Sequence, residues 1–177
     1  LLLLIFVLAA LDAWMWPRRQ GRGFAHAGFI GLLLPLTAAL AMWGTRAASG
    51  LPWLAIDPYY ETWRVLLLTI GVLMAALDAG RRPEADDGAE TTLLLIAVGG
   101  GLVCIASRHL LLTYAGLEIT ALALLARSVR QGHMPLPPLS RWLTAHALGA
   151  ALLLIGVALF ALGSGDVSYD ALRRQEP

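Results

Sequence analysis

The sequence predicts an all-α integral membrane protein with about six transmembrane helices. Three observations carry this. Apolar residues make up 58% of the 177 and charged residues 14%, with a mean hydropathy of +0.70; soluble domains run about 45–50% apolar and about 25% charged. Six apolar segments approach or reach the roughly 20 residues that cross a bilayer as a helix. Between them lie charged or proline- and glycine-rich joints, and no apolar–polar alternation of the kind a β-barrel needs.

The segments run over about 1–16, 23–43, 60–79, 90–107, 110–127 and 140–162, with a polar tail at 163–177. They form a single transmembrane domain, without an internal repeat. The first opens directly on Leu1-Leu-Leu-Leu-Ile-Phe-Val with no charged region before it and no clean small-residue cleavage site after it. That reads better as a trimmed helix of a processed or incompletely sequenced chain than as a signal peptide. The joint after it, Trp16-Pro-Arg-Arg-Gln-Gly-Arg-Gly, is polar and turn-rich, and Gly80 to Gly88 is the most polar stretch. Met134-Pro-Leu-Pro-Pro breaks a helix because proline lacks a donor and clashes one turn back. Ser107-Arg108-His109 leaves a very tight joint between the fourth and fifth segments.

Composition also excludes function classes. A net charge of +1 gives no general basic field for nucleic acid. One cysteine, Cys104, rules out a disulfide framework and a cysteine-built metal or iron–sulfur site within the sequence. No Walker loop, dinucleotide fingerprint, nucleophile elbow or haem motif occurs. His26, His109 and His133 lie at helix ends or in loops, with no metal-ligand spacing among them. Gly99-Gly100-Gly101 stands inside an apolar segment and, with Ala145, Gly149 and Gly156, suits close helix contact in lipid. Trp14, Trp16, Trp43, Trp53 and Trp63 fall near segment ends, as interfacial aromatic belts do.

All 13 basic residues are arginine. Those at the first, third and fifth joints (Arg18, Arg19, Arg22, Arg81, Arg82, Arg127, Arg130, Arg141) outnumber those on the other side (Arg46, Arg64, Arg108, Arg173, Arg174). The positive-inside rule then puts both termini on the outer side.

Ionisable residues inside a bilayer are costly and each is a functional candidate. Asp12 and Asp78 read as helix-end residues that reach the interface, and Arg64 can snorkel or pair with Glu61. Glu118, mid-segment in Leu-Leu-Leu-Thr-Tyr-Ala-Gly-Leu-Glu-Ile-Thr, cannot snorkel easily and must pair, stay protonated or face water. Two roles remain open: a paired or neutral glutamate that only fixes packing, or a proton-handling group, which the position favours. Tyr114 lies one turn earlier on the same face and is placed to hydrogen-bond it. In the last segment Arg141 and His146 differ by roughly 140° around the helix and so do not share a face. The bland reading of His146 is a packed, hydrogen-bonded side chain, although histidine alone changes charge near neutral pH.

The last three segments resemble the antiporter-like subunit N of respiratory complex I, NADH:quinone oxidoreductase, called ND-two in mitochondria. The similarity is an ordered series: Glu90-Thr-Thr-Leu-Leu-Leu-Ile-Ala-Val-Gly-Gly-Gly; Ala106-Ser-Arg-His-Leu-Leu-Leu; Gly116-Leu-Glu; and the run from Arg141-Trp-Leu-Thr-Ala-His-Ala-Leu to Gly-Ser-Gly. About 75 residues match well, and the Asp12 and Asp57-Pro58 neighbourhoods only weakly. The resemblance places the family's key acidic residue on Glu118 and its lysine on Arg141. It implies proton translocation by charge-coupled protonation of Glu118 with Arg141 as its electrostatic partner, and His146 and Tyr114 join the candidate proton pathway by their positions. No cofactor would bind this chain: NADH, FMN, iron–sulfur clusters and quinone belong to partner subunits.

The resemblance covers only the N-terminal six of about fourteen helices. It therefore implies other membrane-arm subunits as partners, with either a second chain that supplies the missing helices or a reduced version of the subunit, besides membrane lipid and not nucleic acid. The expected location is an energy-coupling membrane, the mitochondrial inner membrane ahead of a bacterial one. Arginine for lysine is the chemical departure: lysine can release its proton when desolvated and arginine effectively cannot. A related cation/proton antiporter or membrane-bound hydrogenase subunit, a purely structural membrane-arm piece, and an unrelated small transporter or membrane enzyme are the alternatives.

Overall fold

A computed structural model describes residues 23–44, 54, 58–79, 87–132 and 136–173. The segment expected at 1–16, and the joint residues Arg18, Arg19, Arg22, Arg46, Arg81 and Arg82, lie outside the described residues. The helices are α1 (Gly23–Ala41), α2 (Pro58–Ala79), α3 (Asp87–Ala106), α4 (Leu110–Arg130), α5 (Leu136–Ser164) and the short α6 (Tyr169–Arg173). Among the described residues, four stretches are long and apolar enough to cross a membrane: Pro58–Asp78, Ala89–Ala106, Leu110–Arg130 and Pro137–Ser164, with a shorter apolar stretch at Gly28–Ala41.

The expected breaks fall where backbone chemistry puts them. Pro137 and Pro138 lie within the first turn of α5 rather than before it, because the first turn needs no N–H partner one turn back. The helix therefore begins about four residues earlier than the sequence suggests. It ends at Gly165, whose positive φ of 71° suits glycine and whose N–H donates to Ala161 O at 2.9 Å.

α3 is the hub, packing against α1, α2 and α4, while α5 leans chiefly on α4. Leu32 and Ala39 of α1, Leu68 and Ala75 of α2, and Leu94, Leu95, Val98 and Leu102 of α3 form one buried apolar cluster. Lipid tails are as apolar as leucine, so burial alone does not drive such helices together; close packing and interhelical hydrogen bonds must. The α3–α4 crossing supplies both. A Cβ on Gly116 would lie 2.7 Å from the Cys104 nitrogen and 2.7 Å from Gly100 O, so the two backbones touch there. The Thr120 hydroxyl lies 3.1 Å from Ala97 O on α3 and 2.9 Å from Gly116 O on its own helix. Gly149 and Gly156 of α5, also expected to serve close contact, face nothing within 4 Å among the described residues.

The α3–α4 joint is as tight as expected. Ser107 Oγ donates to His109 O at 2.7 Å and accepts from His109 N at 3.0 Å. The stretch after α5 folds back onto this joint: Leu110 N donates to Val167 O, Tyr169 N to Arg108 O, and the Tyr169 hydroxyl to Thr113 Oγ1, each at 2.9 Å. The turn that delivers it is held by Asp166, which accepts from Ser168 Oγ at 2.6 Å and Ser168 N at 3.0 Å. The Ser168 hydrogen bonds hold the Asp166 carboxyl below the usual carboxylate range.

Two outcomes follow. Gly116→Ala is expected to destabilise the chain by about 1–3 kcal/mol, because the neighbouring atoms are backbone and cannot yield. Gly149→Ala and Gly156→Ala should stay within about 0.5 kcal/mol; thermal unfolding in detergent measures all three. The 165–169 turn should hold above the ordinary aspartate range of about 3.9 and loosen only as pH falls through the lowered Asp166 value, read by hydrogen exchange of the Ser168 amide.

Candidate functional site

Glu118 is the ninth residue of α4 and points away from α3, since Gly116, which meets α3, lies about 200° around the helix from it. Its side chain is 22% exposed and meets His146 of α5, 23% exposed, with 2.9 Å between Glu118 Oε2 and His146 Nε2. Trp142, one turn earlier on α5, stacks on the imidazole with ring centres 4.7 Å apart and planes 12° apart. Tyr114, one turn before Glu118, is close enough to interact with its carboxylate.

Of the four residues singled out in the sequence, three therefore come together. Arg141 does not join them. It is exposed and makes no hydrogen bond or ion pair among the described residues. The pairing of Arg141 with Glu118 fails because the 140° separation that puts His146 against α4 turns Arg141 away. The Trp142 stack was not anticipated, although a Trp four residues before a His in an apolar helix is a readable signal.

Two further charge pairs are buried. Arg127 of α4 forms an ion pair with Asp78 of α2, their side chains 7% and 15% exposed. By sequence position alone both are segment-end groups. Beyond them Gln131 Nε2 donates to Glu90 Oε2 at 2.8 Å, tying the end of α4 to the start of α3. Near the opposite end of α2, Arg64 pairs with Glu61, donates to Ala39 O of α1 at 3.3 Å, and lies 5.6 Å from the Tyr60 ring centre. Arg127 follows Glu118 by nine residues, a turn of about 180°, so the two face opposite sides of α4. No group of three or more His, Cys, Asp or Glu able to hold a metal occurs among the described residues.

No protein-family model matches the chain. Individual relatives do. NADH-quinone oxidoreductase subunit 14 of Thermus thermophilus is 32% identical over 150 residues, 85% of this chain and 34% of that protein. NADH-quinone oxidoreductase subunit N of Cereibacter sphaeroides is 30% identical over 161 residues, 90% and 35%. Subunit N 1 of Solibacter usitatus is 27% identical over 108 residues, 60% and 22%. In the structure of respiratory complex I from Thermus thermophilus with bound aureothin, one chain superimposes with a TM-score of 0.81 at 27% identity, over 94% of this chain and 38% of that one. The chain is a homologue of the antiporter-like subunit N of complex I.

This subunit N homologue spans between 22% and 35% of the length of the three curated relatives named. Its helical fold is that of a complex I membrane subunit. All of the named relatives are bacterial.

The buried pairs give an outcome for this homologue. Asp78→Ala leaves Arg127 charged and unpartnered inside the bundle and should cost about 3–5 kcal/mol, whereas Asp78→Leu with Arg127→Met together should cost far less or stabilise. Thermal unfolding of the three forms in one detergent decides it.

Proposed function

We propose that this chain is a membrane-arm subunit of a proton-pumping NADH:quinone oxidoreductase, where it contributes to proton translocation or to assembly of the arm. Homology to subunit N supports the complex, and the observation that carries the role is Glu118. It is a carboxylate in mid-span, turned from the packed core and hydrogen-bonded to a histidine of the next helix. Glu118, His146 and Tyr114 are the proposed proton-handling groups; Arg141, pointing outward, is left for a role at the face that neighbouring helices or lipid cover.

Other complex I subunits are the proposed partners, and NADH, FMN, iron–sulfur clusters and quinone are bound there rather than here. The helices that complete the relatives' length are proposed to come from a second chain. α5 supports further helices packing on it, whichever chain carries them: no residue of its apolar window is buried by the described helices. An energy-coupling membrane is the proposed location. The bacterial relatives favour a bacterial cytoplasmic membrane and lend nothing to a mitochondrial one. With Arg127 and Arg64 engaged in ion pairs, seven arginines on one side still outnumber four on the other, which supports outer termini.

The test has two stages. Gentle extraction and native gel separation should find the chain with NADH dehydrogenase activity and a second chain of matching helices. In that complex, Glu118→Gln should leave assembly intact and lower protons pumped per NADH oxidised several-fold. Unchanged pumping would reduce the chain to a structural piece of the arm. Migration with cation/proton antiporter partners would overturn the complex I reading.

A further inference from the structure

We infer that Glu118 and His146 act as one proton-sharing pair, with the imidazole as the group that accepts and returns the proton. The inference deepens the function proposed for Glu118 and rests on that reading for its purpose. Three observations carry it.

The first is direct contact. At 2.9 Å the Glu118 Oε2 and His146 Nε2 atoms share a hydrogen bond with no room for water between them. In the transfer the Nε2–H bond breaks and its electron pair stays on nitrogen. An O–H bond forms at Oε2, and an imidazolium–carboxylate pair becomes a neutral imidazole and a carboxylic acid.

The second is the absence of any rival. The chain has no lysine, and its 13 basic residues are arginines, which hold their protons permanently. α5 packs chiefly on α4 and α4 on α3 and α5. On α4 itself only Tyr114 stands beside Glu118, while Arg127 faces the other side and is held by Asp78. α3 lies on the Gly116 side, away from the pair. On α5, Arg141 points outward. His146 is thus the one basic neighbour of Glu118 among the described residues whose side chain can both take up and release a proton.

The third is the stack on Trp142. At 4.7 Å and 12° it fixes the ring plane so that Nε2 addresses Glu118, and the indole face favours a cationic ring. Nδ1 has no partner among the described residues. Once Nε2 has given up its proton, Nδ1 keeps the ring's remaining one, and the ring is recharged when the carboxyl O–H returns its proton to the empty Nε2 lone pair.

The test reads the pair itself. The full chain, in the assembly with which it purifies, is labelled with ¹⁵N-histidine and followed by NMR across a pH series in lipid nanodiscs. The His146 signal is assigned by its loss in His146→Gln, or, should that variant not fold, in a background lacking the other three histidines. In Glu118→Gln the His146 ring-nitrogen signals and their response to pH should change, since the carboxylate hydrogen-bonded to Nε2 is gone. Reciprocally, the infrared band of the Glu118 carboxyl should change its pH profile in His146→Gln and keep a titrating partner in His146→Lys. An identical His146 titration with and without the Glu118 carboxylate would overturn the inference and leave a packing contact. Coupled titration in a chain that pumps nothing would keep the pair and remove the function proposed above.

Discussion

Every charge inside the bundle must find its partner within the protein, and this single constraint organises the structure. An unpaired ion in hydrocarbon is too costly to persist, whereas a paired one costs far less. Arg64 with Glu61, Arg127 with Asp78 and His146 with Glu118 each answer it. The first two pairs lie towards opposite ends of α2, buried against neighbouring helices. The third sits in mid-span on the far side of α4. Helix order follows from these anchors together with the glycine crossing at Gly100 and Gly116, because lipid offers no hydrophobic force of its own to choose among packings.

The three pairs differ in kind. The cation in the first two is arginine, which does not deprotonate, so those pairs are permanent and hold helices together. The third joins two groups that can both change charge, and it lies at 22–23% exposure rather than within the core. A lock is best buried and unchanging; a group that exchanges protons needs an open side. α4 carries one of each on opposite faces, Arg127 inward and Glu118 outward, which separates holding the bundle from acting at its edge.

Much of the fold was legible because hydropathy, proline and glycine act locally. The segments at 60–79, 90–107 and 110–127 lie close to α2, α3 and α4, and the Ser107–His109 joint is as short as it reads. The start of α5 was misplaced only because prolines tolerated in a first turn look like breakers from sequence. The fold-back after α5 was not legible, since it depends on main-chain bonds from Leu110 and Tyr169 to partners some 60 residues away in sequence.

The site was half legible for the same reason. Glu118 declared itself by position alone, an acid in the middle of an apolar run. Its partner did not, because partnership depends on which face of α5 meets α4, and neither Arg141 nor His146 states that by residue type. The angular gap between them meant that one at most could serve. Charge chemistry pointed to Arg141, yet helix packing chose His146, whose ring then stacks on Trp142. The same blindness hid Asp78 and Arg127: 49 residues apart, each looked like a helix-end group until the α2–α4 neighbourhood brought them together. Where two helices meet thus decides which of two plausible cations a buried acid receives. In this chain it gives the mid-span acid the weaker and changeable one.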